Sequence, residues 1–165
     1  MTKIIVHGIG GQGVKLLSET LAYILSDIGK NLTLVYEYDS IMRGGSITAF
    51  LVYGEEEIIN PMIDEADYLI VLSKTTQFKG KTKIIEQTIY GEGRETTEIK
   101  IPLNSIAEEL GNKKLVNMVT LGYLLKILKI DIKKLDLKKA LPEKLLEENL
   151  KAIQSGYAYE ERSEL

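Results

Sequence analysis

The most informative absence in this chain of 165 residues is cysteine. Without it the chain can form no disulfide, no thiolate zinc site and no cysteine-ligated iron–sulfur cluster of its own. Histidine is also scarce, because His7 is the single one, and one histidine without a second His or a Cys gives no basis for a metal site. Any electron transfer that involves this chain therefore needs a partner protein.

Long apolar runs are missing as well. No segment reaches the roughly 18 consecutive apolar residues of a membrane span, and the chain enters a strand-like segment at once, with no signal peptide ahead of it. We therefore expect a cytoplasmic protein with no membrane partner. The net charge of -3 and the spread of Lys and Arg along the chain also disfavour nucleic-acid binding, which rewards a basic face.

The chain does have the composition of a globular protein, since 44% of its residues are hydrophobic and 27% are charged. A chain of this length can bury most of its apolar surface around one core. No internal repeat or low-complexity linker divides the sequence. We therefore expect a single domain over residues 1–165.

The N-terminal part alternates strand, loop and helix signals. The segment 3–7 is short and mostly β-branched, and a glycine cluster follows it at 8–13. Apolar residues then recur at helical spacing up to Ile28. Gly29 is placed to end this helix, and residues 32–38 are a second strand candidate. The pattern predicts a βαβ unit with a right-handed crossover, like the start of a dinucleotide-binding domain.

The rest of the chain continues the α/β pattern. Residues 46–53 alternate and end at Gly54, which predicts a strand with a turn and not another helix-linked unit. The apolar run at 68–72 predicts a central parallel strand that is covered on both faces. Further strand and helix candidates lie at 82–85, 98–101, 105–128, 132–140 and 142–154, the last starting at Pro142. The predicted class is α/β, a Rossmann-like three-layer sandwich with a mostly parallel sheet and helices on both faces.

A glycine motif between the first strand and the first helix is the first candidate site. It has the G-x-G-x-x-G spacing and comprises Gly8, Gly10, Gly11, Gln12 and Gly13. Glycines permit a tight turn and close ligand approach, while helix N-terminal amides favour an anion such as phosphate. Two interpretations stay open: a phosphate or pyrophosphate site, or glycines that only pack the strand against the helix.

Acidic residues at the end of the second strand raise an alternative. Glu37 and Asp39 lie near the position where an NAD-binding domain binds the ribose hydroxyls. A stand-alone NAD- or nucleotide-binding protein is therefore a rival hypothesis on local grounds. No separate substrate domain, nucleophile or proton-transfer group follows in the sequence, so we assign no catalytic residue.

The sequence Arg43-Gly44-Gly45 is the second candidate site. Arginine pairs bidentately with phosphate or carboxylate, and the glycines allow close backbone approach, although a solvated surface turn has the same pattern. We interpret His7 as structural because a general base would need a partner that the sequence does not identify. We interpret Asn117 as a capping or packing residue near a helix start.

Taken together, these segments resemble the gamma domain of the 2-oxoacid:ferredoxin oxidoreductases, which act on pyruvate, 2-oxoglutarate and branched-chain 2-ketoacids. The resemblance spans almost the whole chain in the family's order. It is carried by GIGGQGV at 8–14, RGG at 43–45, NP at 60–61, ADYLIV at 66–71, NMVTLG at 117–122, NLKA at 149–152 and GY at 156–157. One departure is that YDSIM at 38–42 stands where the family often has Tyr-Gly-Pro-Glu.

The resemblance implies a subunit of a heteromeric enzyme that oxidatively decarboxylates a 2-oxoacid to an acyl-CoA. Thiamine diphosphate and the iron–sulfur clusters then lie on partner subunits of alpha, beta and delta type, and ferredoxin accepts the electrons. The chain alone would bind none of these cofactors and would be inactive, which agrees with its lack of cysteine. The resemblance also implies that this domain approaches coenzyme A. Our hypothesis is that the loop from Gly10 to Gly13 and Arg43 help receive the anionic part of coenzyme A or shape the subunit interface around it.

Overall fold

The computed structural model describes residues 1–39, 45–74, 76–88 and 97–161. The chain forms two compact units, Met1–Lys100 and Ile101–Leu165. The expectation of one domain over residues 1–165 stays a prediction. Within the described ranges, no helix is both long enough and apolar enough to cross a membrane.

The secondary structure alternates strands and helices at first and is helical later. The described strands are β1 Thr2–Ile9, β2 Asn31–Tyr38, β3 Ser46–Gly54, β4 Ala66–Val71, β5 Gly80–Glu86 and β6 Thr97–Ile101. The described α-helices are α1 Val14–Asp27, α2 Leu103–Glu109, α3 Val116–Ile127, α4 Leu137–Ala140 and α5 Leu146–Ala158. Two 3₁₀ turns lie at Lys113–Leu115 and Ile132–Lys134.

The strands form one mixed sheet in the order β2-β3-β1-β4-β5-β6. β4 runs parallel to both β1 and β5, as predicted for a central buried strand, whereas β3 runs antiparallel to both β1 and β2. β1 and β2 are therefore parallel but are not neighbours, which corrects the prediction of a simple βαβ unit. The reason is that β3 follows β2 after a short connection and pairs antiparallel with both β2 and β1. β3 therefore lies between them.

Helix α1 covers one face of β1, β2 and β3. Its buried apolar residues recur every three or four positions, the pattern of a helix with one apolar face: Val14, Leu17, Leu21, Ile24 and Leu25. Gly29 ends the helix with φ of 86°, and its amide bonds to the Ser26 carbonyl, which confirms the predicted stop.

The opposite face of the sheet holds a second apolar cluster. Its buried members come from the three parallel strands, and Phe50, Ile63 and Phe78 pack against them. These buried residues are Ile5, Ala66, Leu69, Val71 and Ile85. Side chains alternate along a strand, so Ile5 and His7 share this face while Gly8 faces α1.

The second unit is built on a close pair of helices, α3 and α5. Residues 117–125 of α3 are all buried, as expected of a helix that is apolar around most of its circumference. Gly122 and Gly156 lie at the crossing. A Cβ at Gly122 would meet the Ile153 carbonyl, and one at Gly156 would meet the Val119 carbonyl, so the two backbones touch directly.

Three helix predictions in this unit were wrong. Residues 105–128 do not form one helix, because the chain leaves α2 after Glu109, Gly111 has φ of 88°, and a 3₁₀ turn precedes α3. Residues 132–140 do not form one helix, because Leu135 is extended between a 3₁₀ turn and the single turn of α4. The Asp131 side chain accepts a bond from the Lys133 amide and so favours this turn. Pro142 does not begin the last helix either: α5 starts at Leu146, after Leu145 in the left-handed conformation, which interrupts a helix.

Candidate functional site

The candidate site lies at the edge of the sheet where β1 and β4 both end. These strands are parallel neighbours, with His7 opposite Val71. β3 runs the other way and starts here, with Ser46 opposite Ile9, and β2 also ends at this edge. The strands that follow β1 in sequence, β2 and β3, lie on one side of β1 in the sheet, and β4 lies on its other side. Such a change of direction is the usual ligand position in open α/β sheets.

The glycine motif lies at this edge, and two of its glycines have backbone conformations that other residues rarely adopt. Gly11 has φ of 85° and Gly13 has φ of 78°. A Cβ at Gly11 would meet nothing within 4 Å, so the loop is open above this residue. Gly13 directly precedes α1, whose first amides have no partner within the helix. This part of the motif can accept an anion.

The other members of the motif have structural contacts. Gly8 is buried at the end of β1, where a Cβ would lie 2.8 Å from Val14 Cγ2 and 2.9 Å from Gln12 Oε1. The Gly10 amide donates to the Gly45 carbonyl at 3.2 Å. The Gln12 side chain accepts from the Ile9 amide and donates to the Leu72 carbonyl, each at 2.8 Å. Gly8, Gly10 and Gln12 therefore fit the packing interpretation, whereas a phosphate site at Gly11 and Gly13 stays a prediction.

The second candidate motif meets the first at Gly45. Arg43 and Gly44 lie outside the described residues, but Gly45 follows them directly and holds the Gly10 amide. The fold thus brings the chain after Arg43 to the glycine loop, although 29 residues separate the two motifs. Ligand contacts of these residues stay a prediction.

A pocket of about 650 Å³ opens at the same edge, on the face opposite α1. The ends of β1 and β2, the start of β3 and the segment after β4 form its walls. Its described lining residues are His7, Ile9, Glu37, Tyr38, Asp39, Ser46, Thr48, Ser73, Thr76, Gln77 and Phe78. Glu37 and Asp39 thus lie where the sequence placed an acidic group, at the end of the second strand.

His7 lies deep in this pocket and is held by its neighbours. Its Nδ1 forms a 2.8 Å hydrogen bond with Thr48 Oγ1, and its ring makes an edge contact with Phe78 at 5.4 Å between centroids. Burial lowers the pKa of His7 below 6.5, so the ring is neutral at pH 7. Thr48 is directly opposite His7 in the antiparallel register. Sequence reasoning missed this pair because the register of β1 and β3 was unknown.

The described lining of the pocket is acidic. Its charged members are Glu37 and Asp39, and it includes no Lys or Arg. Carboxylates repel phosphate but accept hydrogen bonds from hydroxyl and amide groups. The pocket therefore suits an uncharged, hydrogen-bonding part of a ligand. No cluster of three or more His, Asp or Glu side chains that could hold a metal occurs in the described ranges.

Lys15 supplies a positive charge beside the glycine loop, and sequence reasoning did not single it out. It is the second residue of α1, and its Nζ lies 5.6 Å from the centre of the Tyr36 ring. Tyr36 OH in turn lies 3.2 Å from Ser18 Oγ on α1. The signal in the sequence was a lysine two residues after the last glycine of the motif.

Asn117 lies in the second unit and is not part of this site. It is buried in the first turn of α3, and its Oδ1 accepts a 2.9 Å hydrogen bond from the Met118 amide. This contact fits the predicted capping or packing role.

Comparison with known proteins extends these observations. Residues 3–159 match the family described as pyruvate ferredoxin/flavodoxin oxidoreductase. The 2-oxoglutarate synthase subunit KorC of Methanocaldococcus jannaschii is 30% identical over 172 residues, which cover 94% of this chain and 91% of that protein.

Two solved structures share the fold. The gamma subunit of a keto/oxoacid ferredoxin oxidoreductase from Geobacter sulfurreducens PCA has a TM-score of 0.75 at 20% identity, over 95% of this chain and 96% of that one. The 2-oxoglutarate:ferredoxin oxidoreductase of Magnetococcus marinus, solved with 2-oxoglutarate, coenzyme A and succinyl-CoA bound, has a TM-score of 0.76 at 20% identity, over 95% of this chain but 30% of that one. These likenesses confirm the predicted Rossmann-like α/β class.

Proposed function

The chain belongs to the pyruvate ferredoxin/flavodoxin oxidoreductase family as a gamma subunit, and we propose that it holds part of coenzyme A in a thiamine-diphosphate-dependent complex that converts a 2-oxoacid to an acyl-CoA. It is an oxidoreductase subunit, and partner subunits complete the enzyme. Nothing in the comparisons supports the alternative of a stand-alone NAD- or nucleotide-binding protein.

The observation that carries the coenzyme A proposal is the contact between Gly10 and Gly45. It joins the loop before α1 to the residue that follows Arg43-Gly44, although the two motifs are far apart in sequence. The first amides of α1 and Lys15 supply positive charge beside this contact, and in this proposal Arg43 adds a further positive charge. A pyrophosphate is the ligand group that such an arrangement favours.

The adjoining pocket suits the rest of the ligand. Its neutral His7, its hydroxyl groups and its carboxylates favour an uncharged group with hydrogen-bond donors, and Phe78 adds an apolar wall. Coenzyme A has such a group in its amide-containing arm. We propose that the phosphates stay on the glycine loop and that an uncharged part of coenzyme A enters the pocket.

The remaining cofactors belong to other chains in this proposal. The absence of cysteine excludes a cysteine-ligated cluster on this subunit. Alpha, beta and delta-type subunits would carry thiamine diphosphate and the clusters, and ferredoxin would accept the electrons in the cytoplasm. What this chain supplies is binding and orientation of coenzyme A, not a group that reacts.

Purification of the chain from its native source with its partners tests the subunit role. We expect chains with thiamine-diphosphate and ferredoxin-type sequences, and dye reduction that depends on both a 2-oxoacid and coenzyme A. Arg43→Ala in this complex should raise KM for coenzyme A about tenfold to a hundredfold, because charge-assisted hydrogen bonds are lost. Decarboxylation of the 2-oxoacid without coenzyme A should stay unchanged.

Arg162→Ala is the matched control, because it removes the same charge near the other end of the chain. It should leave KM for coenzyme A unchanged. An Arg43→Ala complex with normal KM would show that this arginine does not bind coenzyme A, while the subunit role would still stand on the recovered partners.

A further inference from the structure

The Gln12 side chain joins two segments that are sixty residues apart. Its Oε1 accepts the Ile9 amide inside the glycine loop, and its Nε2 donates to the Leu72 carbonyl at the end of β4, each at 2.8 Å. The side chain is half-buried and packs close to Gly8, where a Cβ would lie 2.9 Å from its oxygen. Its amide oxygen and its amide nitrogen are therefore both engaged by backbone groups.

The partner segment matters because it forms one wall of the pocket. Leu72 directly precedes Ser73, and the pocket is lined on that side by Ser73, Thr76, Gln77 and Phe78. The Leu72 amide also donates to the His7 carbonyl at 2.8 Å. Gln12 therefore connects the segments that follow β1 and β4, and it is not among the described residues that line the pocket.

We propose that Gln12 is a positioning residue that fixes the glycine loop to the pocket wall and does not itself contact the ligand. A loop rich in glycine has many conformations in the absence of such a link. Two hydrogen bonds from one side chain hold the loop and the wall in a fixed relation before any ligand binds. The effect on coenzyme A binding rests on the proposed function, whereas the link between loop and wall does not.

Amide hydrogen exchange in the full chain without ligand tests this link directly. Gln12→Met keeps a side chain of similar length but removes both hydrogen bonds. We expect the Ile9 amide to exchange about five to ten times faster, the effect of losing one net hydrogen bond. Exchange over residues 72–78 should also rise, while the amides of Ile4 to Val6 in β1 stay protected.

Two further variants make the test decisive. Gln12→Asn is shorter by one methylene and cannot reach both partners, so it should show the same change if Gln12→Met folds poorly. Gln154→Met on the exposed side of α5 is the matched control and should leave exchange at Ile9 unchanged. Unchanged exchange at Ile9 and over residues 72–78 in both Gln12 variants would overturn the proposal.

Kinetics of the assembled complex separate this inference from the proposed function. Gln12→Met should raise KM for coenzyme A severalfold with kcat nearly unchanged. Faster exchange with a normal KM would support the positioning role and refute coenzyme A binding at the loop. A raised KM without any change in exchange would instead make Gln12 a direct ligand contact and overturn the inference.

Discussion

Glycine has opposite structural roles in the two units. At the sheet edge, Gly11 has a positive φ and open space where a Cβ would point. At the helix crossing, Gly122 and Gly156 have ordinary helical conformations, and a Cβ on either would collide with the backbone of the other helix. Backbone conformation limits substitution in the first case and space limits it in the second.

The difference follows from how each region is built. The sheet edge is open above Gly11 and at the pocket beside it. The helix pair is closed, and its stability depends on direct contact between two backbones. Substitutions should therefore act on the two regions through different physical causes, with the larger loss of stability in the helix pair.

The largest effect is expected at the helix crossing. Gly156→Ala should lower the free energy of unfolding by about 3 kcal/mol, because the Val119 carbonyl cannot move away without separating the helices. The small gain in helix propensity from Ala does not offset this cost. Denaturant unfolding measures the change. Gln154→Ala on the exposed side of the same helix is the control and should stay within about 0.5 kcal/mol of the parent protein.

A second substitution sharpens this expectation. Gly122→Ala combined with Gly156→Ala should cost less than the sum of the two single changes, because the first added Cβ already separates the helices. Full additivity would show that the two glycines do not share one contact. Gly156→Asn should be worse than Gly156→Ala, because a larger side chain needs more space.

At the sheet edge we expect Asn to destabilise the protein less than Ala, which is the reverse of the order expected at Gly156. Gly11→Ala should lower stability by roughly 1 kcal/mol, the cost of a left-handed conformation for an L-residue. Gly11→Asn should cost less, because Asn tolerates that conformation. Thermal or denaturant unfolding of both variants measures which one is more stable. If Asn were worse than Ala here, the comparison between the two regions would fail.

The smallest effect concerns His7, whose lowered pKa makes the stability of the folded chain depend on pH. Burial lowers its pKa below 6.5, so the unfolded chain binds the proton more readily than the folded one. The stability contribution of neutral His7 is fully present above pH 6.5 and is lost as pH falls through the lowered pKa. NMR titration should give a midpoint below 6.5, and His7→Asn should reduce the fall in stability in this pH range.

Local patterns predicted much of the fold. The glycine-to-helix transition, the stop at Gly29 and the apolar strand β4 follow from residue types within a few positions of one another. The strand β3 was predicted without its place in the sheet, because its insertion between β1 and β2 depends on pairing between distant segments. The helix start at Pro142 was wrong, because Leu145 adopts a conformation that its residue type disfavours.

The candidate site divides in the same way. The positions of the glycine motif after β1 and of Glu37 and Asp39 at the end of β2 were predicted from sequence, because their spacing carries the signal. The pair of His7 and Thr48 was not found, since it depends on the register between β1 and β3. Gln12 was identified as a candidate ligand contact, but the structure shows both ends of its amide bonded to the backbone.

The sequence by itself determined the α/β class, the glycine loop before α1, the lack of a cysteine-ligated cluster and the resemblance to an oxidoreductase gamma subunit. Each depends on residue type and short-range order, which act through local sterics and hydrogen bonding. The tertiary structure decided that Gly10 meets Gly45, that Gln12 reaches Leu72 and that Gly122 and Gly156 share one crossing. Those contacts arise because strand register and helix packing bring together residues that the chain itself keeps far apart.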